Sequence, residues 1–475
     1  MKKRITSLLL IAVMLLSIFA MSGCSKPSST SKNIYNVPEG GFDPNQEVSI
    51  TFTHTMGAKL QEVLNTYIAE FNKIYPNIKI THQSAGGWGD INGQINTEIA
   101  GGNAPNIAYC YPDHVAMYNI AKSVVVLDNL IGSELAIEGK DEILGLTAEQ
   151  KADFIEAYYN EGLAYGDGYM YTMPLNKSTE VLYYDKTFFV ANGLKVPTTW
   201  KEMLEVCEKI LAIDPDCYPL GYDAEDNWFI TLCEQMKSGY TSAENGGQYL
   251  FNNDTNKGFV KELREMYQKG YFTTQELYGS YTSNLFVETT DTRCYMCVGS
   301  SGGASYQMSN NDTDDGSFAF EVGVAPIPQY DANNRRTISQ GPSLCILKGK
   351  DTTDQQIMAS WLFVKFLCTN VDFQAEFSMA SGYMPVLKSV TNNEIYAAWL
   401  AKGNGYEYLV AKCVQVGIDG RDDYFVSPAF NGSSTARTQV GALLLKCLSG
   451  EAADAAAVDK LINDAFQEAI DECEY

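Results

Sequence analysis

Four short polar runs are the places where this sequence could hold a small molecule. They are Gly86-Gly87-Trp88-Gly89-Asp90, Asn176-Lys177-Ser178-Thr179, Gly299-Ser300-Ser301-Gly302-Gly303, and Asn431-Gly432-Ser433-Ser434-Thr435 with Arg437 just beyond. Glycine and serine offer backbone N–H groups and hydroxyls that suit a neutral polyol or an anion. An indole such as Trp88 packs on the apolar face of a small ring. Each glycine run alone reads equally well as a surface turn; four together, with aromatic residues beside them, argue for a ligand site. Bond-breaking chemistry has less support. No GxSxG, HExxH, Walker loop or dinucleotide fingerprint is present, so no catalytic residue is expected. With 58 Asp and Glu in the chain, pairs such as Asp314-Asp315 and Asp422-Asp423 arise by chance. An anchored carbohydrate-active hydrolase, its carboxylates brought together only by folding, is the enzymatic alternative.

No metal and no cofactor are expected. His54, His82 and His114 lie far apart and make no spaced ligand set. Cys294 and Cys297 have CxxC spacing but no second pair or nearby histidine completes a site. Twelve cysteines are unusual for an exported chain. Setting Cys24 aside leaves an odd number, so full internal pairing is impossible, and residues such as Cys110, Cys345 and Cys368 read as buried thiols in apolar runs.

The elements that must position these loops alternate between strand and helix. Val48–Phe52 alternates as an opening strand, and Leu60, Val63, Leu64, Tyr67, Ile68, Phe71 and Ile74 repeat at helical spacing. A second strand starts at Ile78, a second helix carries Ile91, Ile95 and Ile99, and Ile107–Tyr111 is a third strand. This order predicts an α/β layer with parallel crossovers. Further on, Thr199 and Glu202 form a capping box before a helix from Trp200 to Leu211. Helices are also expected at 259–267, at 355–368 with a strong amphipathic pattern, and at 452–470. Strands are expected near 181–184, 318–327 and 343–347.

A chain of 475 residues, 45% hydrophobic and 12% aromatic, is too long for one core, so two or more lobes are expected. Its formal charge of −24 argues against a nucleic-acid partner. Lys2, Lys3 and Arg4 precede an apolar run from Ile5 to Met21, the pattern of a secretory signal. Met21-Ser22-Gly23-Cys24 resembles a bacterial lipobox, and the Ser-rich stretch behind it reads as a tether. Residues 1–23 are thus expected to be a signal peptide and 24–45 a tether lipidated at Cys24. Past the leader, no apolar run is long enough to span a membrane. The expected location is the extracytoplasmic face of the cell membrane, lipid-anchored.

Met173-Pro174-Leu175-Asn176-Lys177-Ser178-Thr179-Glu180-Val181-Leu182-Tyr183-Tyr184-Asp185-Lys186 closely resembles the glycerol-3-phosphate-binding branch of the bacterial ABC-importer solute-binding proteins. Pro197-Thr198-Thr199-Trp200, Gly323-Val324-Ala325-Pro326-Ile327-Pro328 and Ser381-Gly382-Tyr383-Met384-Pro385 resemble the large carbohydrate-binding class as a whole. The resemblance spans roughly residues 46–470. It implies an α/β, two-lobed periplasmic-binding-protein-like fold with crossing hinge segments, lobe one holding 46–160 plus 318–372 and lobe two 161–317 plus 373–475. It also implies capture of a small polar solute for an ABC permease by a monomer, with no chemistry. Residue by residue it implies ligand contacts at Trp88, Asp113, Ser178, Ser300 or Ser301, Gly341, Tyr383 and Arg437. The departures are Trp88 where a tyrosine is usual and Asp113 where a glutamate is expected. Both suit a sugar or oligosaccharide, with glycerol-3-phosphate or a glycerophosphodiester as the alternative.

Overall fold

The structure is a computed structural model and describes residues 34–288, 292–308, 318–401 and 406–474. The leader and Cys24 lie outside these residues. From Tyr35 onwards the chain forms one unit built on two sheets.

The first sheet follows the alternation read above. Strand β1 (Val48–His54) leads into helix α1 (Ala58–Ile74), β2 (Ile78–Ser84), α2 (Trp88–Gly101) and β3 (Ile107–Cys110). Both β2 and β3 pair parallel to β1, as the two crossover helices require. Val48, Ile50 and Phe52 face inwards, and Leu64, Tyr67 and Phe71 form the buried stripe of α1. After the short helix α3 (Pro112–Tyr118) the chain reaches β4 (Met173–Pro174), the edge of this sheet.

Strand β5 (Asn176–Asp185) then opens the second sheet and acts as its spine. It is followed by α4 (Trp200–Ile213), β6 (Tyr218–Tyr222), α5 (Glu225–Met236), the small ribbon β7 (Thr241–Ser242) with β8 (Gln248–Tyr249), α6 (Asp254–Gln268), β9 (Phe272–Thr274) and β10 (Cys294–Ser300). The Thr199–Glu202 capping box is present: Thr199 Oγ1 accepts from Glu202 N at 3.2 Å. Tyr222 stacks on Trp228 at 4.3 Å, and Trp200 lies against both, forming the aromatic centre of this lobe.

Strands β11 (Val322–Pro326) and β12 (Thr337–Gln340) also pair with β5, whereas β13 (Ser343–Ile346) returns to the first sheet between β3 and β4. The chain therefore changes sheet at Leu175 and at Gly341-Pro342, not at 161 and 318 as the sequence reading placed it. Pairing with β5 decides this, and no local pattern in 322–340 reports it. Both crossings touch, because Leu175 N donates to Pro342 O at 3.1 Å.

Helix α7 (Asp354–Thr369) is buried around most of its circumference rather than amphipathic. Lys365 is itself buried; its ammonium donates to Ile143 O at 2.7 Å and pairs with Glu142. Helix α8 (Val371–Ser381) stays with the first lobe, Phe373 lying 5.2 Å from Tyr67. Only at β14 (Met384–Pro385) does the chain rejoin β5, so the third crossing falls near Gly382 rather than at 373. Helix α9 (Tyr406–Asp419), strand β15 (Tyr424–Phe425), α10 (Ser433–Ser449) and α11 (Ala455–Glu474) complete the second lobe.

All eleven described cysteines are buried free thiols. Cys294 and Cys297 stand three apart on a strand, so their side chains leave opposite faces and form no redox pair. His54 and His82, distant in sequence, meet across β1 and β2 with Nε2 and Nδ1 2.9 Å apart. Met56 N donates to His54 Nδ1, which places the proton on His54 Nε2; His82 Nε2 then donates to Asn65 Oδ1. No group of three or more ligating side chains suited to a metal ion occurs among the described residues. No helix among them is long and apolar enough to cross a membrane.

Candidate functional site

The first polar run forms a tight turn into α2. Gly86 has φ +91°, and Asp90 Oδ2 accepts from Gly87 N at 2.8 Å, so a side chain at Gly86 would strike that carboxylate. This turn sets Trp88 at the head of α2, where its ring stacks on Tyr111 at 4.0 Å and lies parallel to Tyr109 at 6.0 Å. Pro112 then starts α3, its missing N–H costing nothing at a helix start, and Asp113 falls in the first turn. Asp113 Oδ1 accepts from His114 N, which leaves Oδ2 to face the other lobe.

Arg437 meets it there. Gly432, at φ +104°, turns the chain into α10 and puts Arg437 on its second turn. Arg437 Nε lies 3.0 Å from Asp113 Oδ2, joining residues 324 positions apart and linking the two lobes. Its Nη1 lies 3.1 Å from Asp226 Oδ2 and donates to Asn227 Oδ1, both in the first turn of α5. Burial works against the charge on Arg437, but Asp113 and Asp226 more than restore it and push its pKa up. Burial alone would raise the Asp113 carboxyl; Arg437 and His114 hold it below the ordinary value.

The remaining expected residues form a second group. Ser178 and Ser301 are buried on β5 and just after β10, and Ser301 Oγ accepts from Thr179 N at 3.2 Å. Ser300 Oγ accepts from Gly302 N, and its carbonyl from the Tyr183 hydroxyl. The Asn176–Thr179 run, read as a loop, is wholly buried strand because β12 and β14 cover it. Gly341 packs on the backbone of that same stretch. Tyr383 joins the groups: its ring lies against Gly302, and it is near enough to Tyr109 and Tyr111 to disfavour their ionisation. Burial, then Tyr281 and Tyr306, push Tyr383 up to about 12. Tyr281 and Tyr306 are exposed, and the Tyr306 hydroxyl approaches Gly57 of the first lobe.

Asp226, Asn227, Tyr111 and Glu180 were not singled out from sequence. Tyr111 could have been, since it precedes Asp113 by two residues. Asp226 had no signal beyond following a strand in a chain rich in acids. Among the described residues, the buried polar atoms Tyr109 Oη, Tyr118 Oη, Tyr240 Oη and His114 Nδ1 have no protein partner. Electrostatic proximity ties Tyr118, Tyr240 and His114 to Asp113 or Arg437. Each therefore has donor or acceptor capacity that no protein group uses. Two surface hollows of about 520 and 620 Å³, near Asp153 and near Asp216, gather no such set.

Glu180 lies beneath the site and accepts from the Tyr222 hydroxyl at 2.7 Å. Burial first, then Asp226, push its carboxyl up to about 8, against the pull of Tyr222, Asn227 and Arg437. An acid raised in the folded state loses stability as pH climbs from its unfolded value through the folded one. Buried His54, pushed down to about 4 by burial and His82, acts oppositely, but only below its unfolded value near ~6.5. Between about pH 6.5 and about pH 8.5 the melting temperature should therefore fall, by about 1 °C per kcal/mol lost for a unit of this length, and Glu180→Gln should flatten the slope. A flat wild-type profile would mean Glu180 is ionised throughout.

Residues 66–403 match the family model of bacterial extracellular solute-binding proteins. The sn-glycerol-3-phosphate-binding periplasmic protein UgpB of Pectobacterium atrosepticum is 24% identical over 351 residues, 71% of this chain and 73% of that protein. Its namesake in Escherichia coli K12 is 25% identical over 360 residues, 72% and 75% of the two chains. Among solved structures, UgpB from Mycobacterium tuberculosis in complex with glycerophosphocholine has a TM-score of 0.68 at 18% identity, covering 89% of this chain and 98% of that one. The GacH receptor of Streptomyces glaucescens, solved unliganded and with acarbose, has a TM-score of 0.67 at 16% identity over the same shares. The α/β fold of two lobes joined by crossing segments is thus shared with known binding proteins. With a match covering well over half its length, the chain belongs to the bacterial extracellular solute-binding protein family.

Proposed function

We propose that the protein captures a neutral sugar or oligosaccharide in the cleft between its lobes and delivers it to an ABC permease. The observation that carries this reading is the stack of Trp88 on Tyr111 beside buried, unpartnered tyrosine hydroxyls. A flat aromatic face with hydroxyls at its rim matches a sugar ring, apolar on its faces and polar at its edge. Ligand contacts to both lobes favour the closed form, which the permease reads; no bond is made or broken. Trp88, Asp113, Ser178, Ser300, Ser301, Gly341, Tyr383 and Arg437 remain the proposed contacts, joined by Tyr111 and Asn227. Lipidation at Cys24 would hold the monomer near its permease and raise the local concentration there.

Thermal-shift titration with neutral mono- and oligosaccharides, maltotriose among them, tests the reading. A saccharide that stabilises the wild type should bind roughly ten-fold more weakly to Trp88→Ala, a loss of about 1–2 kcal/mol. No shift with any saccharide would sink it. The alternative, glycerol-3-phosphate or a diester of it, is favoured by the names of the relatives and by the presence of an arginine.

A further inference from the structure

We propose that Asp226 sets the charge selectivity of the cleft, holding Arg437 as a donor to uncharged hydroxyls and excluding phosphorylated solutes. The inference deepens the solute-capture reading and rests on it. Arg437 and Asp226 both belong to the second lobe, on α10 and α5, which pack so closely that a β-carbon at Gly441 would lie 3.5 Å from Asp226 Cβ. Their pair does not depend on lobe closure. Asp113 comes from the first lobe, and its 3.0 Å contact with Arg437 spans the cleft. An open cleft therefore presents an arginine already neutralised by Asp226, and closure adds a second carboxylate.

One guanidinium faces two carboxylates, with Glu180 close enough to Asp226 to feel its charge. A phosphate monoester taking the remaining Nη2 donors, or displacing Asp226 from Nη1, would sit beside both carboxylates, a like-charge contact in a partly buried site. A hydroxyl has no such conflict, because it donates to Asp113 or Asp226 and accepts from the guanidinium at once. The unpartnered His114 Nδ1 and Tyr240 Oη, both more than nine-tenths buried near the same groups, await such a ligand.

Isothermal titration of the purified protein with sn-glycerol 3-phosphate at neutral pH tests this. Wild type should show no binding at micromolar concentrations. Asp226→Asn, and independently Asp226→Ser, should bind glycerol 3-phosphate at least ten-fold more tightly than wild type. Adding Arg437→Ala should abolish the gain. Micromolar binding by wild type would overturn the proposal even if neither variant folds, and so would unchanged affinity in folded variants. A saccharide panel run on the same proteins separates the two readings. Saccharide binding without a gain in phosphate affinity removes the gate alone. A gain in phosphate affinity without saccharide binding removes the sugar reading and keeps the gate.

Discussion

Replacing Lys177 by methionine should destabilise the protein by about 3–5 kcal/mol, the cost of leaving a buried charge without its partner. The Lys177 ammonium lies 2.6 Å from Glu161 Oε1, with side chains 0% and 2% exposed. It also donates to Ser343 Oγ at 3.2 Å and to Gly341 O at 3.5 Å, and Ser339 Oγ reaches the other Glu161 oxygen. One cation therefore ties both crossing segments to the short 3₁₀ turn at Glu161–Leu163. Burial raises the Glu161 pKa, and Lys177 pulls it back only in part. Without Lys177 the carboxyl would rise further, so the penalty should shrink as pH falls towards the unfolded value near ~4.3. A double variant, Lys177→Met with Glu161→Leu, should recover most of the loss, since a well-packed apolar pair avoids both desolvation costs. Guanidinium unfolding followed by tryptophan fluorescence measures all three proteins. A single-variant loss of about 1 kcal/mol or less would place the pair with ordinary surface bridges and remove its role as a hinge pin.

How far such features could be read in advance depends on the range of the interaction that creates them. The α1 stripe, the Thr199–Glu202 box and the Gly86–Asp90 turn are made by residues within a few positions of each other, and the sequence displays each completely. Lys177 is the opposite case. Between Asn176 and Ser178 it looks like a loop residue, and only Glu161, 16 positions away, with a covering strand from residues 337–340, makes it core. The lobe boundaries fail for the same reason, since any strand at 322–340 looks alike whichever sheet receives it. Asp113 and Arg437 were reached through a resemblance, and the resemblance could not report that they would bond to each other. It also could not report Asp226, whose importance comes from the geometry of two helices rather than from a motif. Charge in the cleft is therefore a property of the fold, not of the composition.

Gly341→Ala should be the other severe substitution, and for a backbone reason. Gly341 has φ +96°, a conformation that only glycine adopts without strain. A β-carbon there would lie 2.8 Å from Asn176 O, Lys177 Cα and Ser178 N, all backbone atoms of the opposing crossing segment. Strain at φ and overpacking together are expected to cost about 2–5 kcal/mol, because neither strand can yield without moving the other. Gly302→Ala provides the contrast: its β-carbon would meet the Tyr383 ring at 2.7 Å, and a side chain can move aside. Denaturant midpoints should therefore fall much further for Gly341→Ala than for Gly302→Ala. The displaced segment also carries Gly341 O away from Lys177 and loosens the ion pair argued above, so Gly341→Ala and Lys177→Met should be less than additive. Full additivity would mean that the crossing and the ion pair act separately. The hinge would then be two independent contacts rather than one.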